Sequence, residues 1–308
     1  MLRLLRRIID RANRRSRGSP AAAGMYWLPE DDSTAGPNEQ SPGGFDRAYL
    51  EDGADEADQE QREVDHRSTE LFSGVTTVVY ASPLGSLTKA SQAIFGRELE
   101  AAEYRCLVGA LGGSRVCVTV DDDSLAPPLI RFRISHPDYY LHGEVFGNKR
   151  GRGFCTHHLT VAEAAQHGGI ATRITLMQVA SCRLLGVGRL ELYPVSDSHG
   201  KNGNYTWPRL GYSRTVDRYR AAELPAEYQG CRTLADLMLA GGHEWWRSYS
   251  SRRDVVVSKL EFATEPGSES SRVLDAYAEA RGIVAPHCSE LLPVNLVVDE
   301  VGCRDLPY

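Results

Sequence analysis

The sequence predicts an α+β fold, with a mixed, mostly antiparallel sheet and a helix packed across it. Three observations carry that expectation. Four strand-like runs follow closely between residues 115 and 161, the hydrophobic period changes from two to about 3.6 after Gly169, and another strand-like run begins at Gly188. Consecutive short strands with tight connections imply an antiparallel meander. A strand–helix–strand unit after it lays the helix over the sheet.

The elements follow in order. Residues 1–18, MLRLLRRIIDRANRRSRG, put Leu2, Leu5, Ile9 and Ala12 on one helical stripe among seven arginines. A basic amphipathic segment of this kind suits an anionic membrane surface or the phosphate backbone of a nucleic acid. A mitochondrial-type presequence and a plain basic tail have the same composition, whereas a secretory signal has an apolar core that Arg3, Arg6 and Arg7 would interrupt. Residues 19–65 turn acidic and poor in apolar side chains, as in EDGADEADQEQREVD, and read as a disordered linker that buries too little to offset its ordering entropy.

Globular patterning starts near Leu71, within a core expected to span residues 66–215. GVTTVVYAS is a β-branched strand. In LTKASQAIFGRELEAAEYRCLVGAL, the positions Leu99, Ala102, Cys106, Leu107 and Leu111 recur at helical spacing up to the stop at Gly112 and Gly113. RVCVTV, PLIRFRISH, DYYLHGEVFG and GFCTHHLTV are the four strands of the meander. The helix after Gly169 shows Ile170, Ile174, Met177 and Leu184 on its apolar face and ends at Gly186; GRLELYPV is the next strand. Residues 216–308 are a C-terminal α/β extension packed on the core, with helices around CRTLADLMLAGG and SSRVLDAYAEARG, a strand at DVVVSKLEF, and Trp245 and Trp246 as packing residues.

The 308 residues are 42% hydrophobic and 25% charged, ordinary for a soluble globular chain, and no run nears the roughly 20 apolar residues of a membrane-spanning helix. The seven cysteines include no CxxC pair and fit reduced, buried thiols in a reducing compartment. The expected compartment is the cytoplasm, with peripheral membrane association through residues 1–18 left open. No metal is expected: Cys155, His157, His158 and His142 lack a spaced partner motif, and adjacent strand positions point to opposite faces.

The most informative stretch runs from Val161 to Thr172, VAEAAQHGGIAT. A strand ends, a glycine pair follows, and a helix begins at once. Such a turn leaves backbone N–H groups unpaired at the positive end of the helix dipole, where a pyrophosphate can approach without side-chain obstruction. Gln166-x-x-Gly169-x-Ala171 resembles the coenzyme A pyrophosphate loop of the GNAT N-acyltransferase superfamily. Leu185-Gly-Val-Gly-Arg-Leu-Glu-Leu192 resembles that family's helix end and following strand, and Leu210-Gly-Tyr212 its Leu-Gly-Phe/Tyr element. The stretch from Asn202 to Tyr212, NGNYTWPRLGY, is similar to an element of uncharacterised GNAT-like proteins. The resemblance covers about residues 100–215.

What the resemblance implies is a GNAT-like fold and an acetyl- or acyl-CoA-dependent N-acyltransferase. An unidentified amine would attack the thioester directly, with acyl-CoA as co-substrate. Val161, Gln166, His167, Gly168, Gly169, Ile170, Ala171, Thr172 and Asn202 would hold the CoA. The strands ending at Val161 and beginning at Arg189 would splay around its pantetheine arm. Where many members have a tyrosine that protonates the departing thiolate, this chain has Trp207, whose indole N–H is not an acid. Tyr205 and Tyr212 are the substitutes at hand. For the base, Glu144 and His157 lead, with His158 and Glu191 behind them; strand alternation lets only one of His157 and His158 face a cleft. Trp207 and the charged N-terminal extension also admit another reading, a non-catalytic GNAT-like scaffold tethered through its basic N-terminus.

Overall fold

A computed structural model describes residues 70–121, 127–195, 203–216, 222–252 and 257–284, together with the backbone of 294–298. The basic segment 1–18 and the whole acidic linker 19–65, with Asn202, Cys288 and Cys303, lie outside the described residues.

The architecture is α+β. In chain order the strands are β1 (Thr76–Tyr80), β2 (Arg115–Asp121), β3 (Leu129–His136), β4 (Tyr139–Asn148), β5 (Gly151–Val161), β6 (Arg189–Leu192), β7 (Leu260–Ala263) and β8 (Val294–Val298). The helices are α1 (Leu84–Phe95), α2 (Ala101–Leu107), α3 (Ile170–Leu185), α4 (Gly203–Arg209), α5 (Leu234–Leu239), α6 (His243–Ser250) and α7 (Glu269–Glu279). The strands form one mixed sheet in the order β7-β6-β5-β4-β3-β2-β1-β8. The expected meander is β2 to β5, antiparallel throughout. The crossover through α3 brings β6 parallel to β5, and β1 is parallel to both β2 and β8.

Alternation along the strands separates two faces. Val116, Val118, Ile130, Phe132, Ile134, Leu141, Val145, Phe154, Leu190 and Phe262 point into one buried core shared with α1, α2 and α3. Thr119, Arg131, Arg133, Tyr140, His142 and Glu144 alternate with them and so occupy the opposite face. On α3, Ile170, Ile174, Met177, Cys182 and Leu185 are buried. Leu184, expected on that stripe, is 77% exposed, because Cys182 and Leu185 fill the last inward turn.

Other expectations are corrected. The long helix before β2 is two helices, broken where Gly96 adopts φ 76° after α1. The second ends at Leu107, before the glycine pair, and Gly109 makes the left-handed turn. Gly112 instead lies against Gly74, where an added Cβ would stand 2.2 Å from the Gly74 nitrogen. Residues 216–308 do more than pack on the core: β7 pairs with β6 and β8 with β1, so the extension supplies both edges of the sheet. Its aromatic step is α6. Trp246 is buried and donates from Nε1 to the Asn204 carbonyl at 2.8 Å, and Trp245 stacks on Tyr249 with centroids 4.7 Å apart. Cys117 is disulfide-bonded, so not all the cysteines are reduced; Cys106, Cys155, Cys182 and Cys231 are free.

Candidate active site

The turn into α3 has the backbone form its sequence implies. Gly169 is the N-cap at φ 71°, with no side-chain cap, and His167 is left-handed at φ 67°. The first helical bond runs from the Arg173 N–H to the Gly169 carbonyl at 3.0 Å. The N–H groups of Gly168, Gly169, Ile170, Ala171 and Thr172 have no acceptor among the described residues. Two guanidinium groups brace the turn from behind: Arg173 donates from Nη1 to the Gly168 carbonyl at 2.6 Å, and Arg281, just past α7, donates to the His167 carbonyl at 3.2 Å. Gln166, exposed, donates from Nε2 to the Val161 carbonyl at 3.3 Å. Its amide shapes the loop, which leaves the backbone donors facing out. Ile170 and Thr172 are buried, so they contribute backbone and not side chain. The result is a run of N–H donors without acceptors among the described residues, at the positive end of the helix dipole, with two guanidinium groups on the carbonyls of the same turn.

Upstream, β5 and β6 pair only from Gly153–Arg189 to Thr156–Leu192. β5 then continues alone on that edge through Val161. At the first residue beyond the last pair, the ladder to β4 also shifts. Gly143 faces Thr156 and His142 faces His158, so His157 is an inserted residue, a β-bulge. The fork between β5 and β6 and the bulge therefore coincide.

A polar cluster stands on the sheet face opposite the core: alternation puts His157 there with Cys155, and the bulge adds His158 opposite His142. His157 Nε2 lies 3.3 Å from Glu144 Oε2, and its Nδ1 lies 3.9 Å from Cys155 Sγ. Its ring centroid is 5.2 Å from that of His142. Arg131 reaches Glu144 at 3.5 Å and Asp121 at 2.8 Å. His158 packs edge-on against Tyr140 at 5.7 Å and sits 2.6 Å from the Thr160 hydroxyl. Both histidines contact the even-numbered side of β4, so the expectation that only one could share this face fails. The inserted residue breaks the alternation on which it rested.

Charge divides unequally over the cluster. Contacts with Cys155 and then Glu144 push the His157 imidazole up to about 10 against the cost of burial. His142 moves the other way, to about 4, through burial and then the positive charges of His157 and Arg133. Burial works to raise the Glu144 carboxyl, but the His157 hydrogen bond and the charges of His157 and Arg131 outweigh it and hold the group below its ordinary value. At neutral pH the pair is one imidazolium beside one neutral imidazole.

The other candidates have structural duties. Glu191 is bound by Arg189 at 2.8 Å and Lys259 at 3.2 Å, which leaves it ill suited as a base. Tyr205 accepts from Arg209 Nη1 at 2.9 Å, and the Arg209 and Arg247 guanidinium groups lie over its ring. Tyr212 is buried between Trp207 and Phe262, at 5.3 and 5.5 Å. Burial raises its phenol above the ordinary value, with Cys182 and Cys155 adding to the effect. The structure thus brings Glu144 and His157 together, and adds Cys155 and His142, which had entered the sequence reading only as metal candidates. Among the described residues no group of three or more His, Cys, Asp or Glu side chains could hold a metal ion. No helix among them is long and apolar enough to cross a membrane. No model of a known protein family matches the chain, and no curated protein matches it.

Proposed function

We propose that this protein is an acyl-CoA-dependent N-acyltransferase of GNAT type, transferring an acyl group from a CoA thioester to an amine. One observation carries the reading: a single β5–α3 connection bears a strand fork, a bulge with a charged histidine, and an open anion-binding turn. The turn suits the pyrophosphate through backbone donors. The edge of β5 from His157 to Thr160, beyond its last pair with β6, offers peptide groups to the pantetheine arm, which carries amides of its own.

The proton inventory supports the same reading. An acid that protonates a departing thiolate should lie near a thiol's ordinary value of about 8.5. His157, at about 10, is closer to that than a buried tyrosine is, so Trp207 does not leave the site without an acid. The neutral imidazole left after that donation accepts the proton of the amine. Glu144 holds the ring through its hydrogen bond.

The test is release of CoA thiol from acetyl-CoA on addition of amines, covering small amines, aminoglycosides, peptide N-termini and lysine side chains. Amine-dependent release, reduced about 100-fold or more in His157→Asn, is expected from general acid–base catalysis. Tight CoA binding with no release on any amine would favour the tethered, non-catalytic module instead.

A further inference from the structure

The thiol of Cys155 has no part in the chemistry above, yet its surroundings are those of a nucleophile. Its Sγ lies 3.9 Å from His157 Nδ1, while the other ring nitrogen of that histidine lies 3.3 Å from Glu144 Oε2. Thiol, imidazole and carboxylate are in line, each on its own side of the ring. This is the order in which a nucleophile, its proton partner and an orienting acid act together. Register places the three side by side: Glu144 faces Cys155 across the β4–β5 ladder, and His157, two residues beyond Cys155, stands on the same face of the strand. Cys155 is free, and it lies one residue pair before the fork, whose last pair is Thr156–Leu192. It is buried, so an acyl donor meets it by way of the fork and not from open solvent.

We propose that Cys155, His157 and Glu144 form a nucleophilic triad in which Cys155 takes the acyl group from a thioester and holds it as a covalent acyl-cysteine. The route to an amine rests on the function proposed above; the acylation itself needs only a thioester. With the proton between Sγ and Nδ1 residing on nitrogen, Sγ attacks the carbonyl carbon. The new Cys155 S–C bond forms, the carbon–sulfur bond of the donor breaks, and the departing thiolate takes the proton from His157. An amine then attacks the acyl-cysteine, Sγ leaves as thiolate, and the amine proton returns to the now neutral His157. No oxidant, reductant or further reactant enters. This two-step relay takes the place of direct attack on the CoA thioester. Glu144 is a positioning residue: it orients His157 and stabilises its charge.

The experiment is acid-quenched intact-mass and peptide mapping of the full chain after incubation with two probes in turn, acetyl-CoA and the acetyl thioester of N-acetylcysteamine. One acetyl group on Cys155, released by neutral hydroxylamine and absent in Cys155→Ala, is the expected result. His157→Asn should slow labelling at least tenfold, and Glu144→Gln should move the alkaline limb of its pH profile to lower pH. Labelling by the small thioester alone would keep the triad and remove the CoA-binding reading. Absence of Cys155 labelling with both probes, in protein whose far-ultraviolet circular dichroism is that of the folded chain, overturns the proposal. In that case CoA binding measured on the same sample decides separately whether the donor site stands.

Discussion

His157 and His142 are neighbouring rings with opposed proton affinities, and the contrast has measurable consequences. The His157 value is raised above its unfolded level of about 6.5, so its contribution to stability is complete below that pH and is lost as pH rises through about 10. His142 is depressed to about 4, so the unfolded chain binds a proton there before the folded chain does. Its linkage therefore removes stability as pH falls from about 6.5 toward about 4. Proton-detected NMR titration should find one ring charged at neutral pH and the other neutral. In Glu144→Gln the His157 titration should move down, because that carboxylate is one of the two groups holding the proton on. An unchanged His157 titration in that variant would remove Glu144 from its assigned place. Alternation along GFCTHHLTV sets Cys155 and His157 on one face but does not say which residues of β4 they meet. Alternation assigns the two adjacent histidines to opposite faces, and no glycine or proline within THHL marks the bulge that overrides it. Glu144 was legible as a strand carboxylate, but Cys155 lay hidden among the buried thiols, since only register puts it opposite Glu144.

At the level of the elements, the glycines at two turns set what can be changed. Gly169 is left-handed, and a Cβ there would lie 2.6 Å from Arg173 Nη1 and 2.7 Å from Ile283 Cδ1. A side chain at this position disturbs the turn itself, so loss of binding in a Gly169 variant would not isolate phosphate recognition. Gly168 makes a lighter demand: it is not left-handed, and an added Cβ would meet only the Ala165 carbonyl at 3.3 Å, a tight contact that a shift of a few tenths of an ångström relieves. Gly211 is the strictest of all, at φ 87° with the Ser270 carbonyl 2.2 Å from the Cβ position. Gly211→Ala should cost about 2–4 kcal/mol in chemical unfolding, from the left-handed backbone and from overpacking. A change under about 0.5 kcal/mol, the scale of an ordinary surface substitution, would contradict the packing described for α4 and α7. Period and punctuation were enough to read the meander, α3 and its glycine-rich entrance. They failed at Gly96, where the apolar spacing carried on across a break, and at β8. VNLVV is a short apolar run near the chain end whose partner, β1, stands more than 200 residues earlier. Pairing at that separation leaves no local signal.

Over the whole molecule, the C-terminal third is inseparable from the candidate site. β7 and β8 close opposite edges of the sheet, Trp246 holds the Asn204 carbonyl at the start of α4, and Arg281 and Ile283 press on the turn before α3. Leaving those edges open would expose unpaired strands. The candidate site therefore belongs to an architecture assembled from both ends of the described chain, and binding experiments call for the full-length protein. The sequence foresaw helices of the extension and the strand that becomes β7, but not β8 nor the place of either strand at a sheet edge, because hydrophobic alternation identifies a strand without naming its neighbours.

The account's central claim is that the open turn into α3 binds the pyrophosphate of CoA beside the β5–β6 fork. Calorimetric titration of the full chain with CoA tests it most directly, with Gly168→Glu as the comparison. That substitution sets a carboxylate before the helix N-terminus, which favours the helix and repels a phosphate. The predicted result is micromolar binding by the parent protein, weakened at least tenfold in Gly168→Glu with the unfolding midpoint unchanged. Absence of binding by the folded parent protein, or equal affinity in the variant, would contradict the claim.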